Sequence, residues 1–367
     1  MIKVYAIFRL KNCLFLFESG KMFKNVAKMT IFLKKFIKTR LIFSNMDKEI
    51  VNKVIERINE KLKEKECNIS EDNFKKIEIV NSDKNVVFVD GGQAELMKAV
   101  DFSLQFIRIV GLVFKGNKKV KTKITEFFVL VNSIEKDENI RFETEIFSVK
   151  GNVIDNISIN SLDGSVRKGN DRGEISDVGG IIRRFSELSL AKEMVSEIEN
   201  GVVIIDGNLK SRVKGEDVYL SELFEEGFRK GVIIASLAKT SRLFMEKGAC
   251  LLSSLNEKGG KEKWYYDFKE RAVVKLNGAS DYVFEFDIYE KQKDEMKEVL
   301  GILANCSKDV VFPGYPYGLL MVDKIARVSN QEKEFLLTLF KARSGEKWKK
   351  FGTALNVLNS HDRLDNI

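Results

Sequence analysis

The sequence predicts an α/β protein in which antiparallel strands come first and helices then alternate with strands. Three observations lead there. Two apolar runs, Val86-Val87-Phe88-Val89 and Val202-Val203-Ile204-Ile205, each end in Asp-Gly, the pattern of strands buried on both faces. Stretches 104–114 and 124–131 follow the first run at the spacing of a meander, and 181–198 carries a helical period before the second run.

From Met46 the chain reads as an amphipathic helix, with Val51, Val54, Ile55, Ile58 and Leu62 three and four residues apart on one face. Residues 84–92 read as a buried strand closing on Asp90-Gly91-Gly92, and 104–114 and 124–131 continue the meander. Residues 150–178 are rich in Asn, Ser, Gly and Asp and read as an inserted loop region, with Asp163-Gly164-Ser165 as a plain turn. After the helix at 181–198 comes the strand 201–205 with Asp206-Gly207. A third buried strand at 231–235 leads into Lys239-Thr240-Ser241. Stretches 272–276 and 282–288 flank Asn277-Gly278, a hairpin signal. A charged helix at 290–304, the segment Phe312-Pro313-Gly314-Tyr315-Pro316-Tyr317 and a helix from about Leu319 complete the pattern. It fits one catalytic domain over 46–367: a central mixed sheet flanked by helices, with an inserted loop region and C-terminal helices.

Charge must be divided before it is interpreted. The 367 residues hold 62 Lys+Arg and 54 Asp+Glu, a net of +8. Residues 1–45 contain ten of those bases and one acid, so 46–367 carry 52 bases and 53 acids, a net of −1. The basic character belongs to the Phe- and Lys-rich first segment, and bulk charge gives no argument for nucleic acid in the rest. Three readings fit residues 1–45: a membrane-surface arm, a DNA-binding arm, or sequence upstream of the true start. The third is preferred, because Met46 leads at once into a helix. No stretch of about 18 apolar residues occurs, which excludes an apolar spanning helix. Cys13, Cys67, Cys250 and Cys306 are dispersed without a CxxC pair, which fits reduced thiols in the cytoplasm better than a disulfide framework or zinc site.

Chemistry has few places to reside. His361 is the single histidine, the seventh residue from the end, and no GxSxG occurs, which speaks against a Ser-His-Asp arrangement and excludes a His-rich zinc site. Oxygen-ligand chemistry with Mg²⁺ or Mn²⁺ remains. Asp90 and Asp206 each close a buried strand before glycine. Adjacent strand ends can bring such acids together, and the glycines would let a metal or ligand approach the backbone. For either acid alone, a simple Asp-Gly turn is the commoner explanation. Glu187 lies on the helix between them and can lean over the sheet, or can pair with Arg183 or Arg184 in its own helix; Glu193 is a second candidate. Lys239 suits a phosphate, or is a surface charge. The two prolines of the chain, Pro313 and Pro316, stiffen the loop that carries Tyr315. Asp323 is a fourth candidate carboxylate, or a helix-surface acid beside Lys324.

In their order and spacing these motifs resemble the NurA family of archaeal and bacterial DNA nucleases. The resemblance runs through Val89-Asp90-Gly91-Gly92, Arg184…Glu187, Val203 to Leu209, Ala238-Lys239-Thr240-Ser241, the hairpin of residues 273–288, Gly314 to Leu319 with Asp323, and His361-Asp362. It covers roughly residues 48–365. It implies an RNase H-like fold and a manganese-dependent nuclease, with Mg²⁺ as the alternative ion. The expected activities are 5′-to-3′ exonuclease on single- and double-stranded DNA and single-strand endonuclease. It also implies a homodimer that works with a HerA-type hexameric ATPase in DNA end resection. Carried over, Asp90, Glu187, Asp206 and Asp323 become the metal-site acids, and Lys239 and Tyr315 auxiliary catalytic residues. Two positions depart from the family: Gly92 stands where many relatives have serine, and Asp323 where some have histidine, which leaves metal preference open. The competing readings are an actin-like or sugar-kinase ATPase, which also uses strand–Asp–Gly turns, and a non-catalytic partner of a DNA translocase. Against the ATPase, the chain lacks GxxxxGK[ST].

Overall fold

Apolar runs buried on both faces, followed by half-buried stretches, produce four long antiparallel strands: β4 (Asn85–Lys98), β5 (Phe102–Lys115), β6 (Lys118–Lys136) and β7 (Asn139–Lys150). The computed structural model describes residues 5–10, 13–18, 48–65, 69–239, 243–268 and 271–358. His361, Asp362 and Thr240 to Arg242 lie outside the described residues. The chain divides into two units, Met1–Glu66 and Cys67–Ile367. In the first, β1 (Tyr5–Leu10) pairs with β2 (Cys13–Glu18) as an antiparallel ribbon. The expected helix is α1 (Lys48–Glu64), with Lys53–Glu49, Arg57–Glu60 and Lys61–Glu64 ion pairs along it and none of its residues buried.

The second unit is built on one mixed sheet. After β8 (Ser158–Asn160) and α2 (Asp177–Ser196), β9 (Gly201–Asp206) returns parallel to β4, from Asn85↔Gly201 to Val89↔Ile205. Then α3 (Glu216–Lys230) leads to β10 (Ile233–Ala238), parallel to β9. The run β6-β5-β4-β9-β10 is the expected RNase H-like core: an antiparallel meander whose first strand is joined by two parallel strands through helical crossovers. Beyond β10 the order continues through β13 (Phe284–Ile288), β12 (Ala272–Lys275), β11 (Trp264–Asp267) and β3 (Phe74–Lys76), while β7 and β8 extend the other edge. The remaining helices are α4 (Leu251–Lys258), α5 (Met296–Asn305), α6 (Tyr317–Ala326), α7 (Asn330–Ser344) and α8 (Trp348–Leu358).

Strand alternation divides the core between the two sheet faces. Phe88, Ile204, Leu237 and Phe286 pack with α5 and α6 residues such as Leu300, Leu319 and Val322. Val87, Val89, Ile205 and Ile234 pack with Ile182, Leu188 and Leu223 of α2 and α3. A satellite cluster joins Leu96, Met97 and Phe106 to Leu336, Phe340 and Trp348, so α7 and α8 cover the far half of β4 and β5.

Several expectations need correction. The first buried strand does not stop at Asp90-Gly91-Gly92. β4 continues to Lys98 because β5 pairs with it throughout, and only the parallel pairing to β9 ends at Val89. The third buried strand begins at Ile233 and ends at Ala238, which places Lys239 directly after its last residue. β7 had no expected counterpart; its outer residues are exposed and carry no continuous apolar run. β12 and β13 form the expected antiparallel hairpin, but residues 276–283 connect them, a longer loop than a two-residue Asn277-Gly278 turn. Asn277 instead accepts from Ala279 N and donates to Ser307 O. The helix expected at 290–304 is a 3₁₀ turn at Glu290–Glu295 followed by α5. Asp163 forms the plain turn expected of it, accepting from Ser165 N at 2.8 Å.

Candidate active site

Asp90 follows Val89 in β4 and shares the sheet face of Phe88, and Asp206 closes β9 on the face of Ile204. Both carboxylates therefore face α6, which brings Asp323. Oxygens of Asp90, Asp206 and Asp323 all lie within 4.8 Å of one another. The two glycines after Asp90 explain how helices come so near. A Cβ on Gly91 would stand 2.7 Å from Glu187 Oε1 on α2, and one on Gly92 would collide with the backbone carbonyl of Ala326 at the end of α6. The pair admits a helix on each face of the sheet rather than a ligand at the backbone, which corrects the expectation for these glycines.

Lys239 lies among these acids, with Nζ 2.8 Å from Asp206 Oδ2 and 2.9 Å from Asp323 Oδ1. It also stands over the Tyr315 ring, 5.4 Å from the centroid. Tyr315 is buried at 1% exposure, packs against Phe284 and Phe312, and points its hydroxyl at Asp206 Oδ1 at 3.5 Å, the outer limit of a hydrogen bond. Asp323 Oδ2 takes a second cation, Arg327 Nη2, at 2.6 Å.

The electrostatics follow from crowding. Burial, then the charges of Asp206 and Glu187, push Asp90 up to about 7, against the opposing pull of Lys239 and the Gly91 N–H. Burial also pushes Glu187 up, opposed by Arg183 and Arg184. Although burial disfavours its charge, Lys239 is raised by Asp206, so it stays an ammonium. Asp323 is held low despite burial, through its bonds to Lys239 and Arg327. Burial and the neighbouring carboxylates raise the Tyr315 phenol, which keeps it a hydrogen-bond donor.

Glu187 is buried beside this group but outside the three-carboxylate set. Its oxygens meet both arginines of its own helix: Arg183 Nη1 at 2.5 Å and Arg184 Nη1 at 3.6 Å. Glu193 pairs with Lys123 and Asn152 and is not drawn into the site. A cleft of about 400 Å³ opens from Asp90, Glu187 and Asp206 on the α2 and α3 side, bounded by Arg183, Arg184, Asn208, Arg212 and Glu216.

The donor set suits a hard divalent cation. It consists of carboxylate oxygens from three separate elements, and an ammonium already bridges two of them. Burial and then the neighbouring carboxylates raise Asp90, and a bound cation would relieve the second of these. Sequence reasoning named every one of these acids as well as Lys239 and Tyr315. It missed Arg327, which the i,i+4 step from Asp323 reveals, and Arg212, whose exposed loop position carries no local signal.

No family model matches the sequence, and no curated protein matches it. Solved structures do. The NurA nuclease from Sulfolobus solfataricus is similar with a TM-score of 0.50 at 14% identity, over 82% of this chain and 98% of that one. The catalytic domain of human Endonuclease V follows with a TM-score of 0.37 at 12% identity, over 76% of this chain and 95% of its own. Endonuclease V from Bacillus subtilis gives 0.33 at 11% identity, over 82% and 96%. With three carboxylates converging where the parallel strands end, this chain has the fold of the NurA nuclease, as its motifs imply.

Proposed function

We propose that this protein is a divalent-metal-dependent nuclease that hydrolyses phosphodiester bonds in DNA. The observation that carries the reading is the convergence of Asp90, Asp206 and Asp323 from β4, β9 and α6, with Lys239 between two of them. Asp90, Asp206 and Asp323 would hold the metal, with Glu187 at its edge. A divalent ion there supplies Lewis-acid polarisation of the phosphate and a more acidic water. Lys239 is placed to neutralise a phosphate oxygen, and Tyr315 orients Asp206 through its hydroxyl. Arg327 keeps Asp323 ionised.

The finer reading follows the resemblance: Mn²⁺ as the preferred ion and Mg²⁺ as the alternative, 5′-to-3′ exonuclease and single-strand endonuclease activity, and a cytoplasmic homodimer working with a HerA-type ATPase in end resection. Among the described residues no helix is long and apolar enough to cross a membrane. The ATPase reading is less well supported, since the Asp90-Gly91-Gly92 segment is strand rather than a phosphate-cradling turn and helices close over both glycines.

The test is cleavage of end-labelled linear duplex and single-stranded DNA with Mn²⁺, with Mg²⁺ and with EDTA, beside Asp90→Ala. Metal-dependent degradation is expected, reduced at least about 100-fold in the variant, since metal catalysis contributes several kcal/mol. Equal cleavage by the variant would overturn the assignment.

A further inference from the structure

We propose that Arg183 and Arg212 form a second phosphate-binding subsite, which holds the phosphodiester next to the one being cleaved. The proposal rests on the nuclease reading and adds to it where the strand lies. Residues 46–367 are nearly neutral, so a polyanion approaching an acid cluster needs local positive charge. The structure places it on two sides. Lys239 and Arg327 stand at Asp323, while Arg183, Arg184 and Arg212 supply the positive charge of the cleft that opens from Asp90 and Asp206 and is also lined by Asp177, Glu187 and Glu216. Lys239 and Asp323 do not line that cleft, so a chain occupying both sides must cross the carboxylates.

The three arginines are not equivalent. Arg184 is committed to the protein: Nε to Glu216 Oε1 at 2.8 Å, Nη2 to Asn208 O at 2.6 Å, and Nη1 to Glu187 Oε2 at 3.6 Å. It anchors the loop after β9 to α2. Arg183 uses Nη1 alone, for Gly91 O at 3.0 Å and Glu187 Oε1 at 2.5 Å, and its side chain is one-third exposed. Its Nε and Nη2 make no other protein bond among the described residues. Arg212 is exposed, and Asn208 steers it: with the carboxamide oxygen toward the guanidinium, Asn208 accepts from Arg212 Nε at 3.2 Å and from Arg212 Nη2, and donates to Lys210 O at 3.2 Å. Arg183 with Nε and Nη2 and Arg212 with Nη1 keep donors at one cleft beside a candidate metal site, which suits the tetrahedral oxygens of a phosphodiester.

The experiment is fluorescence anisotropy of a labelled single strand with the full chain in EDTA, across 50–200 mM salt. Wild type is compared with Arg183→Ala, Arg212→Ala and Arg212→Glu; Arg212 is exposed, so its substitutions spare the fold, which circular dichroism checks. Each alanine variant should bind about tenfold more weakly at low salt. The slope of log affinity against log salt should flatten by about 0.7 per lost contact. In the metal-supported cleavage assay the same variants should raise KM more than they lower kcat. Affinity and salt slope unchanged in all three variants would overturn the subsite, as would absence of strand binding by the wild type. These readouts need no metal or chemistry, so they fail separately from the nuclease reading, which falls if no metal supports cleavage.

Discussion

Asp90 is the residue on which burial and like charge act together. Its carboxyl is pushed up to about 7 by desolvation, Asp206 and Glu187, while Lys239 opposes them. The unfolded chain releases this proton near pH 4, so between there and about pH 7 the folded, metal-free protein holds a proton that the unfolded one has lost. That stabilisation is complete below the unfolded value and disappears as pH rises through the folded one. Thermal unfolding in EDTA should therefore give a Tm that falls from pH 5 to pH 8, and Asp90→Asn should flatten the fall; a slope unchanged by the substitution would refute this account. Legibility at this scale was uneven. Asp90 and Asp206 announce themselves as acids closing apolar runs, and Glu187 by its helix. Asp323, Lys239 and Tyr315 came forward through motif spacing. Arg212 is invisible in the sequence because an arginine in a polar loop looks the same whether or not a cleft lies beside it.

At the scale of elements, the central fact is how closely α2 and α6 approach β4. Gly91 and Gly92 have no side chain on opposite sheet faces, and each absence admits a helix bearing a candidate site residue. Gly318 repeats the device from the helix side, where α6 presses on the Phe88 ring. Gly92→Ala must push the Ala326 carbonyl away and carry α6, with Asp323, off the sheet. A loss of about 1–3 kcal/mol is expected from such overpacking, together with loss of the Tm increase that Mn²⁺ should otherwise produce. Thermal unfolding with and without Mn²⁺ measures both; a variant as stable and as metal-responsive as wild type would show that α6 is not held this way. In the sequence Asp-Gly-Gly signals the end of a strand, because glycines commonly punctuate. Its true role depends on two helices far away in sequence, and no local pattern displays it.

Across the whole molecule, residues 69–358 carry the sheet, the cleft and the three carboxylates, while Met1–Glu66 forms a separate unit. Residues 1–45 hold the net positive charge, and none of the residues that build the cleft lies among them. A chain that begins at Met46 is accordingly expected to fold with an unchanged circular dichroism spectrum and to cleave DNA within about twofold of the full chain, as substitutions away from a site usually alter little. Insolubility of the shorter chain beside a soluble full chain would assign residues 1–45 a structural part. The RNase H-like arrangement came from the resemblance of the motifs, and the α/β order, a meander followed by helix–strand alternation, was accessible from the succession of runs. The flanking strands β3, β7 and β11 were not, because they are short or half-exposed and rely on a neighbour for their pairing.

By itself the sequence determined the α/β class, the exclusion of a His-rich zinc site and the identity of the candidate acids. These rest on composition and on local period, which a linear chain displays directly. Packing alone brings three of those acids together, sets Lys239 between two of them and opens a cleft toward Arg183 and Arg212. Those facts depend on how far β4 runs past β9 and on how closely two helices settle over a pair of glycines. The three acids lie more than a hundred positions apart in the chain, and their meeting exists only once the chain has packed.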